Sequence, residues 1–134
     1  MSLDLDNAFL NEWINTYSNF SIDTAHENID YKPTAGTAYA ELRMLPNGVE
    51  ALSLADSNET TGIFRVILRY PLHKTAVAAK TKAEEIMSAF KIGKRISYDL
   101  NQLIVTSVKR DPGVPEDGWY KQVVSISYRA FLTR

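Results

Sequence analysis

The chain has 134 residues and a mass of 15.1 kDa, the size of one ordinary domain, and 45% apolar with 23% charged residues excludes intrinsic disorder. It contains no cysteine, which removes disulfide frameworks, thiol catalysis and Cys-based zinc sites. Only His26 and His73 could contribute imidazole to a metal site, and neither a metal nor a cofactor is expected. No apolar run is long enough to span a membrane, and the start, MSLDLDNAFL, has neither the basic nor the apolar region of a signal peptide, so synthesis in a cytoplasm is expected.

Net charge is −1, but residues 1–60 hold ten acidic and two basic side chains while residues 61–134 hold six acidic and thirteen basic. Such a split suits head-to-tail association between opposed surfaces; a mixed surface built from interleaved halves is the plainer reading. No motif accompanies the basic half, so sequence-specific nucleic-acid binding is not expected.

Residues 2–20 read as an amphipathic helix, with Leu5, Phe9, Trp13, Tyr17 and Phe20 at steps of four and three and Asn11, Glu12 and Asn15 facing away. Residues 31–37 carry turn chemistry and read as an exposed loop. Ala40, Leu42 and Met44 alternate with Tyr39, Glu41 and Arg43, the pattern of a half-buried strand. Pro46-Asn47-Gly48 then reads as a hairpin turn leading to a second strand over 49–55, and Asp56 to Gly62 as a mobile polar loop tip. Ile63 to Tyr70 is the strongest strand signal, apolar on both faces and therefore central.

Residues 74–91 form a second helix whose stripe is Ala76, Ala79, Ala83, Ile86, Met87 and Phe90, with Gly93 as its expected C′ residue. Strands follow at 95–99 and 102–109. Arg110 to Gly118 reads as a long loop with two prolines, and Trp119 to Leu132 as the last strand. The sum is one α+β domain over 1–134: a mainly antiparallel mixed sheet with two packed helices, in the order α-β-β-β-α-β-β-β.

Catalytic signatures are absent from this sequence: there is no G-x-S-x-G, no Walker A loop, no G-x-G-x-x-G and no H-E-x-x-H. Gly93-Lys94-Arg95 follows a helix instead of opening one, so it does not present N-terminal amides to a phosphate. The pairs Asp4/Asp6, Glu84/Glu85 and Glu116/Asp117 fall where solvation alone accounts for them. An enzyme is not expected.

Several short stretches, Gly62-Ile63-Phe64-Arg65-Val66-Ile67-Leu68-Arg69-Tyr70-Pro71, Asp117-Gly118-Trp119-Tyr120, Val123 to Ala130, and Pro33 to Tyr39, together with the alanine-rich helix, resemble the tail terminator-like proteins of long-tailed bacteriophages. The resemblance implies a structural protein of the virion that assembles in the host bacterial cytoplasm. It implies a homo-hexameric ring that binds the end of the tail tube, stops addition of tube protein and meets the head-completion or neck protein. Contacts are then expected from the loops, with Pro33, Gly36, Asp56, Ser57, Asn58, Glu59, Arg110, Asp111, Glu116 and Asp117 as candidates. A head-tail joining protein is the alternative within the assembly class; a small α+β ligand-binding domain or enzyme, its pocket lined by Tyr70, Trp119, Tyr120 and Tyr128, is the alternative outside it.

Overall fold

The computed structural model describes residues 8–25, 32, 37–51, 57–72, 77–98 and 101–133. After an N-terminal helical segment, α1 (residues 8–21), come strands β1 (Asp23–Ala25), β2 (Tyr39–Ala51) and β3 (Ser57–Pro71), helix α2 (Val77–Ala89), and strands β4 (Arg95–Tyr98), β5 (Asn101–Arg110), β6 (Val114–Glu116) and β7 (Trp119–Thr133). The seven strands form one mixed sheet in the order β1-β2-β3-β7-β5-β4, with β6 on β7. Only β1 runs parallel to its neighbour. The α+β architecture follows the sequence expectation, but the short strands β1 and β6 were not expected and the two strands expected on either side of Pro46-Asn47-Gly48 are one, β2.

Strand β3 lies at the centre because its alternation serves two faces. Phe64, Val66 and Leu68 are fully buried beneath the helices, joined by Ala40 and Leu42 of β2 and Val124, Ile126, Tyr128 and Ala130 of β7. From above, Phe9, Trp13 and Phe20 of α1 and Ala83, Ile86 and Phe90 at α2 close the core. The small residues Ala79 and Ala83 are completely buried, which lets α2 lie close to the sheet.

Segment α1 is α-helical at 8–11, π-helical over Glu12–Thr16 and a 3-10 turn over Ser18–Ser21. Aromatics at steps of four overshoot a 3.6-residue turn. The wider π turn, closed by Tyr17 N–H donating to Glu12 O at 3.2 Å, absorbs the excess and keeps Phe9, Trp13 and Tyr17 toward the core. The chain then reverses through Phe20 and Ser21 at φ 52° and 57°, a left-handed conformation that costs about 1–2 kcal/mol per L-residue. Ring contacts of Phe20 with Trp13 at 4.6 Å and Tyr17 at 4.9 Å offset that cost.

Four expectations are corrected. Pro46-Asn47-Gly48 makes no hairpin: β2 continues through it to Ala51, and the register steps from Pro46↔Gly62 to Gly48↔Thr61, leaving Asn47 as the extra residue of a bulge. The polar stretch after Asp56 is not a loop tip either. Asn58 to Gly62 pair with β2 on one side and Ser57 to Gly62 with β7 on the other, and hydrogen bonding on both edges outweighs the lack of apolar side chains. Gly93, at φ 87°, is the third residue of a β-turn closed by Lys94 N–H to Lys91 O at 3.0 Å, several residues beyond the end of α2. Within the expected loop 110–118, β6 pairs with β7 through a two-residue turn at Asp117-Gly118, whose φ values of 51° and 84° are those of a type I′ hairpin. His26, His73, Leu5 and the loop 33–36 lie outside the described residues.

Gly62 has a packing role. A Cβ there would lie 2.5 Å from Tyr128 Oη and 2.9 Å from Leu45 O. Gly62→Ala should therefore destabilise the fold by about 1–3 kcal/mol in chemical denaturation, whereas a residue in an open loop would tolerate the change. Phe9 stacks on Phe64 at 4.6 Å and meets Tyr128 at 5.1 Å. Phe9→Ala should cost about 3–5 kcal/mol, with about 0.5–1.5 kcal/mol of coupling to Phe64 in a double-mutant cycle.

Candidate functional site

Fifteen residues of β3 at about 3.3 Å per residue make a spine roughly 45 Å long, and five of the described contact candidates, Ser57, Asn58, Glu59, Glu116 and Asp117, fall at its two ends. Ser57, Asn58 and Glu59 lie at the first end, paired with Ala51 to Val49 side of β2 through Asn58↔Ala51 and Glu59↔Glu50, and with Thr133, Leu132 and Phe131 of β7. Glu116 and Asp117 lie at the other, where β6 turns into β7 and Pro71 of β3 pairs with Trp119, whereas Arg110, opposite Val124, and Asp111, bonded to Val123, stand level with Val66 and Ile67 part-way along β3. Pro33, Gly36 and Asp56 lie outside the described residues.

Around Asp111 the backbone is held by a buried polar group. Gln122, 1% exposed, donates through Nε2 to Asp111 O, and Asp111 N–H donates to Val123 O at 3.0 Å. Gly113 is required beside them, since any Cβ would collide with the Tyr120 ring. Arg110 Nη1 reaches Glu84 Oε1 on α2 at 3.1 Å. Between these groups and Lys80 is an open cleft of about 400 Å³, lined also by Pro112 and Tyr120. Its mixed charge suits contact with a polar surface more than enclosure of a small molecule.

Across the sheet face opposite the helices runs a chain of ion pairs. Arg69 of β3 donates through Nε to Glu41 Oε1 at 2.6 Å and through Nη1 to Glu116 Oε1 at 3.2 Å. Lys121 Nζ lies 3.1 Å from the other Glu116 oxygen, and Arg43 extends the chain at 3.6 Å from Glu41. Tyr39 and Trp119, edge to face at 5.2 Å, belong to the same end of this face. Burial works to lower the Arg69 pKa, but its hydrogen bond and attraction to Glu41 prevail and raise it, so its charge is fixed. The Lys121 hydrogen bond first, and that of Arg69 second, hold the Glu116 carboxyl below the usual carboxylate range. Glu116 therefore anchors hairpin β6–β7 to the centre of the sheet.

Of the sequence candidates, then, the structure sets Ser57, Asn58 and Glu59 at one end of β3 and Glu116 and Asp117 at the other, with Arg110 and Asp111 level with Val66 and Ile67 between them. Glu41, Arg69 and Lys121 were not among the candidates. Their alternation was visible within each strand, yet the signal that joins them is cross-strand register, Tyr39↔Arg69 and Arg69↔Lys121, which depends on β2, β3 and β7 being neighbours. Among the described residues no cluster of three or more His, Cys, Asp or Glu is arranged to hold a metal ion, and no helix is long and apolar enough to cross a membrane.

A model of the phage tail terminator protein family matches residues 5–128. One solved structure superposes with a TM-score of 0.77, covering 97% of this chain and 96% of that chain at 19% identity, a likeness of fold alone. No curated protein matches the sequence.

Glu116 offers a direct check of the ion-pair chain. Because its pKa is lowered in the fold, its stabilising contribution is present above the unfolded carboxyl pKa and is lost as pH falls through the folded value. Carboxyl ¹³C NMR should place its midpoint below that of a free glutamate, and Lys121→Gln should move that midpoint upward by more than Arg69→Gln does.

Proposed function

The chain belongs to the phage tail terminator family, and from that premise we propose that it forms a homo-hexameric ring on the end of the tail tube, stops further addition of tube protein and offers its other face to the head-completion or neck protein. The coarser role is that of the family: a structural protein of the phage tail, in a family of structural proteins and not of enzymes. The observation that carries the finer reading is the separation of Ser57, Asn58 and Glu59 from Glu116 and Asp117, at opposite ends of β3.

A stack of identical rings grows because each exposed face is complementary to the next ring; growth stops at a ring whose outer face differs. Subunits standing side by side with β3 crossing the ring from face to face would supply that difference. One face would carry the β2–β3–β7 end around Ser57 to Glu59, the other the β6–β7 hairpin. These ends come from different strand termini and carry different chemistry. Assembly takes place in the host cytoplasm on this reading, with the free protein joining the ring at the tube end.

Electron microscopy of the protein mixed with purified tail tubes should show sixfold rings at tube ends, and native mass spectrometry should give the hexamer mass. Two-fold dimers both in solution and in the virion would overturn the ring. In a phage complementation assay, Glu59→Gln and Asp117→Asn, the latter keeping a residue that tolerates positive φ, should give separable defects. One end should yield tails of irregular length; the other should yield tails of normal length that fail to join heads.

A further inference from the structure

The sheet face away from the helices carries a row of cations that the chain itself leaves incompletely matched. Arg65, at the middle of β3, lies directly opposite Arg43 of β2 on one side and Ser125 of β7 on the other, and Ser125 lies opposite Lys109 of β5. Like charges facing each other across strands oppose folding. Arg43 has Glu41 at 3.6 Å and Lys109 has Asp111 at 3.9 Å, both at the long end of ion-pair range. Arg65 is different: its Nε is buried and, among the described residues, makes no hydrogen bond. An unsatisfied buried donor of a charged group costs more than a neutral one. Next to this row on the same face are apolar side chains, half-buried Ile63 and Ile67 beside Arg65 and Leu45 at 41% exposure, so the surface combines a cationic centre with greasy flanks.

Such a face is matched by a carboxylate-bearing segment that also brings apolar contact. The first sixty residues hold ten acidic and two basic side chains; Glu12 and Glu41 are paired within the subunit, whereas Asp23 is exposed on the edge strand β1. Resting on the ring reading above, we propose that the sheet face around Arg65 is the receptor in the subunit-subunit contact of the ring, and that an acidic segment from the first sixty residues of a second copy docks on it. The arrangement is head-to-tail, as ring closure requires: each subunit supplies one receptor face and one acidic segment. A planar guanidinium suits this role because it meets a carboxylate with two parallel hydrogen bonds.

Arg65→Gln, Arg65→Lys and the wild type would be compared for melting temperature and for self-association, alone and on purified tail tubes. The glutamine variant should melt at or above the wild-type temperature, since the opposed arginines and the orphaned donor are gone, while subunit association weakens roughly 10- to 100-fold. Lysine should restore part of it, keeping charge without the fork. Carbodiimide coupling of mixed ¹⁴N- and ¹⁵N-labelled wild-type protein should join Lys109 of one copy to a carboxylate within residues 1–60 of another. Arg65→Gln rings of unchanged affinity would overturn this contact while leaving the ring standing. A glutamine variant that melts lower yet assembles normally would make Arg65 a structural residue. Intact variant rings that no longer bind tubes would assign the face to the tube protein, and a wild type that self-associates neither alone nor on tubes would overturn the contact and the ring together.

Discussion

Everything in this molecule is referred to the alternation along β3. A strand paired on both edges from Asn58 to Arg69 cannot shift register by one residue without exchanging its two faces. Phe64, Val66 and Leu68 fix one face as the floor of the core, which commits Ile63, Arg65, Ile67 and Arg69 to the other. The apolar set thereby decides where the charges go. The chain from Arg43 to Lys121 exists because three strands are held in a register that hydrophobic burial selects, and surface ion pairs of this kind add little energy of their own.

The helical layer is fastened to that floor mainly by rings. Phe9, Trp13, Tyr17 and Phe20 of α1 interlock with Phe64 of β3, Phe90 after α2 and Tyr128 of β7 at centroid separations of 4.6 to 6.2 Å. Polar tethers then fix the outer rim. Lys82 Nζ donates to Phe20 O at 2.6 Å, Lys94 Nζ donates to Tyr17 Oη at 2.9 Å and Trp13 Nε1 donates to Thr24 Oγ1 at 3.0 Å. The left-handed turn at Phe20 and Ser21 is held from both directions, by ring burial within and by the Lys82 contact at its carbonyl. Short β1 follows immediately from this turn, and its parallel pairing with β2 closes one edge of the sheet at Tyr39 to Glu41.

Side-chain periodicity was a good guide wherever it reflected burial on one face. The stripes Phe9-Trp13-Phe20 and Ala79-Ala83-Ile86-Phe90, and the alternation in β2, β3 and β7, were all legible because each repeats over several turns or pleats. Local chemistry misled where pairing with a distant strand decided the outcome. Asn47-Gly48 has the composition of a turn, but β3 lies alongside it and converts it into a bulge. Ser57 to Thr61 has the composition of a loop, but β7, seventy residues later, completes its hydrogen bonding. At Asp117-Gly118 the error was the reverse: a strong hairpin signal was hidden among the prolines of the surrounding stretch. Three-residue β1 has too few positions to show any period. The same limit applies to the site, because Arg69, Glu41 and Glu116 come from three strands whose adjacency no local window contains.

Termination of a polymer requires a subunit matched on one side and mismatched on the other, which is a demand on geometry and surface chemistry rather than on reactivity. On the proposed reading, joining the two ends of β3 by continuous hydrogen-bonded strands would meet that demand in a particular way. The spacing between ends is set by the rise of β3 and β7 and not by a hinge, so on the proposed reading the height of the ring is fixed before it meets the tube. The two faces can then be specified by separate residues. The open sheet face lies between them, along the side of the spine. Side-by-side association through that face would leave both ends free, which is the arrangement a cap needs if the surface that grips the tube and the surface that receives the head are to be present at once.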